Sequence, residues 1–466
     1  MERPRALPRL ALLVPLLAAG CGTVSPSSVP GSESATGSAS PSSAVVPSGA
    51  VAAEIEADRL EVDLGALQAI ADDNDGIRAT GTPGYDASVE HVASVLRALG
   101  LAVDTPEVEF TGFRDLGGSL VVGGATFAGP DELRALIYSP SGDVRGRAVV
   151  LEGSGCDATD FSELAPGEIA VTVEGGCFRR DQAVNAAAAG AAALIVGYPG
   201  RGPGEIYRPT LIDPVGITIP VASVTDEAVG MLSGPDGGEV ALSVRTELPA
   251  STFRNVVAQV GDGPRVVMVG AHLDSVFDGP GINDNGSGVA AVLEIARALA
   301  AEGVPDGWAV RLALWGGEEL GSLGSRDYAA SAGDEVEAYL NLDMAGSVNG
   351  ASLVYDELEA AAGSERITAA FETALEARGE PFEPVDLGGS SDHFGFVQAG
   401  VPTGGLFAGA SATGSAAQPG ASAGGGPAPD PCYHIGCDDL GNVDIERVAL
   451  FAEVTAAVVR ELMAED

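Results

Sequence analysis

Two of the chain's 4 histidines stand in short polar clusters crowded with carboxylates. The clusters are Ala271-His272-Leu273-Asp274-Ser275, Gly281-Ile282-Asn283-Asp284-Asn285-Gly286-Ser287-Gly288, Gly316-Gly317-Glu318-Glu319-Leu320-Gly321, Asn341-Leu342-Asp343-Met344 and Cys432-Tyr433-His434. Imidazole nitrogen combined with carboxylate oxygen suits zinc, and two histidines with three carboxylates are more ligands than one open tetrahedral site takes. Two metal ions sharing a bridging carboxylate use the set better. Any one cluster could be a buried polar residue or an acidic loop; the coincidence of all of them points to metal chemistry. A serine nucleophile is a poor competitor. The single Gly-x-Ser-x-Gly match, Gly420-Ala421-Ser422-Ala423-Gly424, lies in a low-complexity run and not at a strand-to-helix turn. Gly286-Ser287-Gly288 reads instead as the turn into a helix that positions Asp284.

The elements around these clusters alternate. Strands are expected at Asn255 to Val260, Arg265 to Ala271, Ala309 to Trp315 and Ala338 to Leu342, and helices at Gly288 to Ala301, near Ile367 to Arg378 and at Ile445 to Met463. This pattern predicts an α/β domain whose central sheet is covered by helices on both faces, with ligands gathered beyond the carboxyl ends of the strands. Upstream, Tyr85, Val89, Val92, Val95, Leu96 and Leu99 recur at helical spacing, and His91, off that stripe, reads as a lone exposed histidine. From about Phe113 to Leu248 the texture changes to short β-rich runs, Ala148 to Leu151, Ile169 to Val173 and Ile219 to Val224, with one helix from Gln182 to Ala192. An inserted module is expected there.

The N-terminus reads as an export signal. Arg3, Arg5 and Arg9 precede an apolar run, Leu10 to Leu17, too short to span a bilayer, and Ala18-Ala19-Gly20 then leads into Cys21. Small residues before a cysteine resemble a lipobox, so residues 1–21 are expected to be a lipoprotein signal peptide with Cys21 lipidated; secretion without lipid is the alternative. Residues 22–53, rich in Ser, Pro, Gly and Ala, make a flexible tether. Cys156, Cys177, Cys432 and Cys437 are even in number and suit an oxidising compartment, pairing most simply as Cys156 with Cys177 and Cys432 with Cys437. A zinc thiolate site is the competitor, without the paired short spacings it needs. All 24 cations are Arg, against 66 Asp and Glu, for a net charge of -42. Such a field repels nucleic acid and anionic lipid. The acidic surface could also hold Ca2+, at sites the sequence does not locate.

In this order and with this surrounding pattern, the clusters resemble the co-catalytic di-zinc aminopeptidases of the secreted bacterial leucine-aminopeptidase type, from about Arg78 to Met463. The intervening module, with Gly175-Gly176-Cys177-Phe178 before its helix, resembles a protease-associated (PA) domain. The resemblance implies a zinc exopeptidase fold, a mixed sheet in residues 54–112 and 249–466 with a β-rich PA domain at 113–248. It implies Asp284 as bridging ligand, His272 and Asp343 on one zinc, Glu319 and His434 on the other, Glu318 as general base and Asp274 as the carboxylate orienting the His272 imidazole. It also implies a cis peptide at Asp284-Asn285 and a role for Tyr433 as hydrogen-bond donor to the tetrahedral oxyanion. Ser391-Asp392-His393 matches a segment near the active-site rim, where some relatives carry Arg in place of Ser390.

The expected substrate is a peptide or protein N-terminus, its free amine met by Glu318 and Asp343. An apolar first residue follows from the resemblance and from the Gly/Ala-rich stretch Gly404 to Gly409. A zinc carboxypeptidase, a glutaminyl cyclase or an inert PA-containing binding protein are the alternatives, and retention of every ligand with Tyr433 favours the aminopeptidase. A monomer is expected, exported and held at the outer face of the membrane only through Cys21. The run Ala410 to Pro429 reads as a tolerated surface loop beside Tyr433 and His434.

Overall fold

Odd and even positions of the strand Arg265–His272 face different cores. Val267, Val269 and Ala271 join one apolar cluster, while Val266 and Met268 join another, so the strand is buried on both faces. The computed structural model describes residues 55–464 except 174, 199–201, 205, 207, 235–237, 333–334, 357–359 and 411–426. The export signal, Cys21, the tether, the Gly420 to Gly424 match and most of the run Ala410 to Pro429 lie outside the described residues. Among those described, no helix is long and apolar enough to cross a membrane.

The first sheet is mixed. Its order is Ala102–Asp104, Val256–Gly261, Trp308–Trp315, Arg265–His272, Ala338–Asp343, Thr403–Phe407, Ser352–Tyr355 and Phe382–Val385. The four strands from Trp308–Trp315 to Thr403–Phe407 run parallel, which sends the chain ends after Trp315, His272 and Asp343 to the same edge. Helices Ala57–Asp72, Pro83–Ala98, Gly288–Glu302, Ser364–Glu376 and Ile445–Ala464 cover one face. On the other, Leu323–Ala332 and His393–Gln398 flank a cluster in which the Tyr339 and Phe396 rings stack at 3.9 Å.

A second sheet lies between residues 114 and 247, and a two-stranded ribbon, Glu107–Thr111 with Ala250–Arg254, joins the two parts. Its centre is four parallel strands, Gly142–Val150, Ile169–Val173, Ala193–Gly197 and Val221–Val224, with helices Arg179–Ala188 and Asp226–Ser233. This module is therefore α/β at its centre, because its short apolar runs, buried throughout in Ala193–Gly197, are parallel core strands. The cysteines pair as expected, Cys156 with Cys177 and Cys432 with Cys437.

One local reading is corrected. His91 is half-buried, not exposed, and burial pulls its imidazole below the usual range despite Asp63 nearby. The small residues from Gly404 serve packing inside the sheet: a side chain on Gly404 would strike Ile367, and one on Gly405 the main chain of Asn341.

The first helix, Ala57–Asp72, docks through ions as well as through Leu60, Leu64 and Leu67. The fully buried Glu294 carboxylate accepts from Arg59 Nε at 2.9 Å, Arg297 Nη1 at 3.0 Å and the Glu56 amide at 3.0 Å. Burial works to raise its pKa, but the Arg59 and Arg297 partners and the Glu56 amide outweigh it and hold the carboxyl below 4.5. Glu294→Ala should therefore cost about 1–3 kcal/mol in denaturant unfolding by removing the acceptor shared by Arg59 and Arg297, which keep Glu56 and Asp63. Because the folded carboxyl is the stronger acid, its contribution is complete above pH 4.5 and is lost as pH falls through the folded value. The variant should lose that part of the acid dependence.

Candidate metal centre

His272 ends its strand opposite Trp315, Asp343 ends the next, and Glu318 and Glu319 lie in the turn just beyond Trp315. The parallel register thus delivers four of the seven singled-out polar groups to one place. Asp284 arrives on a buried irregular turn, Ile282–Ser287, that leads into the helix Gly288–Glu302. The Asp284-Asn285 peptide is cis. Gly288 has to be glycine here: a β-carbon would sit 2.4 Å from Asn285 Oδ1 and 2.6 Å from the Leu342 carbonyl.

That turn is fastened to the strand end bearing Asp343. Asn285 Nδ2 donates to the Leu342 carbonyl at 2.9 Å, and the Met344, Ala345 and Gly346 amides donate to Asn285 Oδ1, Ser287 Oγ and Asn283 Oδ1 at 3.1, 2.8 and 3.0 Å. The turn carrying Glu318 is held likewise. The Gly316 amide donates to Asn255 Oδ1 at 3.0 Å, the Gly317 amide to Thr80 Oγ1 at 2.8 Å and the Glu318 amide to Asp274 Oδ1 at 3.2 Å. His434 adopts a left-handed backbone, φ 61°, in the short loop closed by Cys432 and Cys437.

The result is two donor groups sharing one carboxylate. Asp284 Oδ1 lies 3.2 Å from His272 Nε2, which is 3.4 Å from Asp343 Oδ1. Asp284 Oδ2 lies 3.1 Å from His434 Nε2, which is 3.2 Å from Glu319 Oε2. One ligand atom each from His272, Asp284 and Asp343, or from Asp284, Glu319 and His434, falls within 4.8 Å of the others, and Glu318 makes a third such group with His272 and Glu319. Asp343 Oδ1 and Glu319 Oε1 are buried without a hydrogen bond. Burying such oxygens is costly unless something positive meets them. Burial opposes charge on both imidazoles, yet Asp343, Asp274 and Asp284 raise His272 well above its ordinary value, and Glu319 and Asp284 do the same to His434. The donor set, its open oxygens and its negative field all fit zinc.

Glu318 points into the same space, accepting from Ser322 Oγ at 3.2 Å. Burial first, then Glu319, Asp392 and Asp343, push its carboxyl well above the usual range, with His272 opposing. A carboxyl so placed is suited to proton transfer. Asp274 approaches the His272 ring mainly through its main chain: Nδ1 is 3.1 Å from the Asp274 carbonyl and 3.7 Å from its carboxylate. The Tyr433 ring stacks on His434 at 3.8 Å and leans on the apolar cluster of Met344, Leu353, Tyr355, Val385, Leu387 and Phe407.

Ser391, Asp392 and His393 are fully or almost fully buried, and so do not form an exposed rim. Ser391 belongs to a relay behind the ligands. Trp315 Nε1 donates to Tyr339 Oη at 2.9 Å, Tyr339 to Asn341 Oδ1 at 2.8 Å, Asn341 Nδ2 to Ser391 Oγ at 2.8 Å and Ser391 to Asp343 Oδ2 at 2.6 Å. Reading the sequence alone missed three further buried groups, Arg78, Asp430 and Asp438, because nothing in their spacing marks them; only contacts 147 to 203 residues apart do.

Residues 255–459 match the profile of Peptidase family M28 and residues 144–232 that of the PA domain. The chain is 39% identical over 417 residues to a probable lipoprotein aminopeptidase, LpqL, of Mycobacterium tuberculosis, covering 84% of this chain and 81% of that one. It is 36% identical over 433 residues to an aminopeptidase of Pseudomonas aeruginosa, covering 87% and 80%. Among solved structures it is similar to BSAP, a zinc aminopeptidase from Bacillus subtilis, at 28% identity and a TM-score of 0.68, covering 88% and 95%. With relatives this similar over four-fifths of their length, and its own catalytic half matching the profile, the chain belongs to peptidase family M28.

Proposed function

We propose that the chain is a zinc-dependent aminopeptidase that removes N-terminal residues from peptides at a centre of two zinc ions bridged by Asp284. The observation that carries this reading is the sharing of Asp284, one oxygen towards His272 and the other towards His434. His272 and Asp343 would hold one ion, Glu319 and His434 the other. Zinc bound there would supply Lewis acidity, lowering the pKa of a water from about 15.7 towards about 7 and polarising a carbonyl. Glu318 takes the proton of the attacking water and returns it to the departing amine. Tyr433 donates to the developing oxyanion. The free α-amine is met by the Glu318 and Asp343 carboxylates, which restricts cleavage to the first residue. The cluster of Met344, Leu353, Tyr355, Val385, Leu387 and Phe407 beside Tyr433 offers an apolar wall to that residue's side chain. Phe407 of this wall belongs to the stretch Gly404 to Gly409.

The remaining parts of the reading follow from position. The PA domain, placed at 113–248, is an insertion within the peptidase domain of 54–112 and 249–466. Cys21 anchors an exported monomer by lipid through the tether of 22–53, and the lipoprotein named among the relatives supports this. Mass spectrometry of the mature N-terminus should find a lipid on Cys21; an unmodified terminus would make the protein a secreted one.

The defining experiment compares free and N-acetylated aminoacyl-anilides with protein from Ala53 onward, after chelation and after zinc is restored. Only free-amine substrates should be cleaved, and only with zinc; equal cleavage of blocked substrates would refute the assignment. Glu318→Ala should lower kcat by about 10²–10⁴ while leaving zinc content unchanged. Ser391→Ala, which frees Asp343 Oδ2, should weaken zinc binding by about 10–100-fold in a competitive chelator titration.

A further inference from the structure

Arg78 is fully buried in the turn between the helices Ala57–Asp72 and Pro83–Ala98. A buried arginine ordinarily lies against a carboxylate. Here its donors go to main-chain carbonyls: Nη1 to Leu273, Nε to Pro280 at 3.0 Å and Nη2 to Gly281 at 2.6 Å. Its own amide donates to Ser275 Oγ at 2.9 Å. These contacts take hold of both ends of the stretch that joins His272 to the Asp284 turn. Burial pulls the guanidinium down to about 10, so it stays charged at neutral pH, balanced through space by Asp274, Asp438 and Asp284.

Asp438 grips the same main chain from the opposite polarity. Its Oδ1 accepts from the Asn283 amide at 2.9 Å and its Oδ2 from the Asp284 amide at 3.0 Å, while its carbonyl accepts from the Ile282 amide at 3.0 Å. Asn442 Nδ2 ties Asp438 Oδ1, at 3.2 Å, to Asp430 Oδ1, at 2.8 Å, and Asp430 in turn accepts from the Cys432 amide at 2.7 Å. The loop bearing His434 is thereby joined to the segment bearing Asp284.

We propose that Arg78 and Asp438 are positioning residues for the metal centre, a donor to the carbonyls and an acceptor for the amides that together clamp the main chain between His272 and Asp284. The clamp fixes the direction in which Asp284 presents its two oxygens to the two imidazoles. Neither residue touches substrate. The inference rests on the two-zinc reading above, and a binding measurement keeps the two apart.

The test is a competitive chelator titration of zinc on the full mature protein, its Arg78→Met, Arg78→Lys and Asp438→Asn variants, and Arg297→Met as a control in a buried ion pair remote from the ligands. Arg78→Met should bind zinc about 10–100-fold more weakly. Arg78→Lys, a point charge able to reach fewer carbonyls, should fall between it and the native protein. Asp438→Asn can accept only one of the two amides through its carbonyl oxygen and should weaken binding too. At saturating metal, the cobalt-substituted Arg78→Met protein should show a shifted ligand-field spectrum and a lower kcat with little change in KM. Arg297→Met should lower the unfolding midpoint and leave zinc affinity and spectrum as they are. If Arg78→Met does not fold, Arg78→Lys and Asp438→Asn decide the matter. Zinc affinities indistinguishable from native in the folded variants, or a loss in Arg297→Met as large as theirs, would overturn the clamp while leaving the zinc reading intact. A native protein that binds no zinc would overturn both.

Discussion

One carboxylate stands between two imidazoles, and the rest of the fold is arranged to keep it there. Asp284 lies 3.2 Å from His272 and 3.1 Å from His434, residues on opposite sides of it in the chain. A side chain with two oxygens facing two ways tolerates little rotation of its own backbone. The turn that carries it is accordingly buried throughout and hydrogen-bonded to the strand end at Leu342 to Gly346 and to Asp438. Preorganisation of this kind places donors before any ligand arrives and spares the site a reorganisation cost.

The concentration of negative charge follows from the same arrangement. Asp274, Asp284, Glu318, Glu319 and Asp343 converge at the carboxyl ends of parallel strands, where the chain would otherwise have to neutralise them by protonation. The upward shifts at His272 and His434 report this crowding against burial, and at Glu318 the crowding adds to burial, which is the larger cause. Divalent cations bound there would relieve it, which would couple metal binding to the stability of the site. The inserted module has a part in holding the loops. Leu320, directly after Glu319, is buried in the module's apolar core, with Phe277, Leu323 and Ile435 packed against it, and Arg134 of the module pairs with Asp278. The turn after Glu319 and the loop after His434 thus share one apolar support.

Much of this was legible in the sequence because it depends on local pattern. The strands from Val256 to Asp343 and the helices Gly288–Glu302 and Ile445–Ala464 declare themselves by unbroken apolar runs and helical stripes. The clustering of His272, Asp284, Glu319, Asp343 and His434 could be expected from residue type and from their place after strands. What could not be read depends on tertiary neighbours. Helix Ala57–Asp72 carries a stripe of Leu60, Leu64 and Leu67, while its docking on Glu294 pairs residues 235 apart. Ser391 can be placed near the active-site rim from its segment, but its hydroxyl bond to Asp343 follows only from the fold, and His91 looks exposed until its helix is packed. Arg78 is one of 24 arginines, with no spacing to distinguish it. The interior of the inserted module reads as β-rich because short parallel core strands and short edge strands share the same composition.

The central claim is that two metal ions share Asp284, and diffraction from zinc-soaked crystals at the zinc absorption edge tests it most directly. Two anomalous peaks about 3.5–4 Å apart are expected, with Asp284 between them, His272 and Asp343 on one, and Glu319 and His434 on the other. A single peak at full occupancy, or two peaks whose shared ligand is not Asp284, would contradict it.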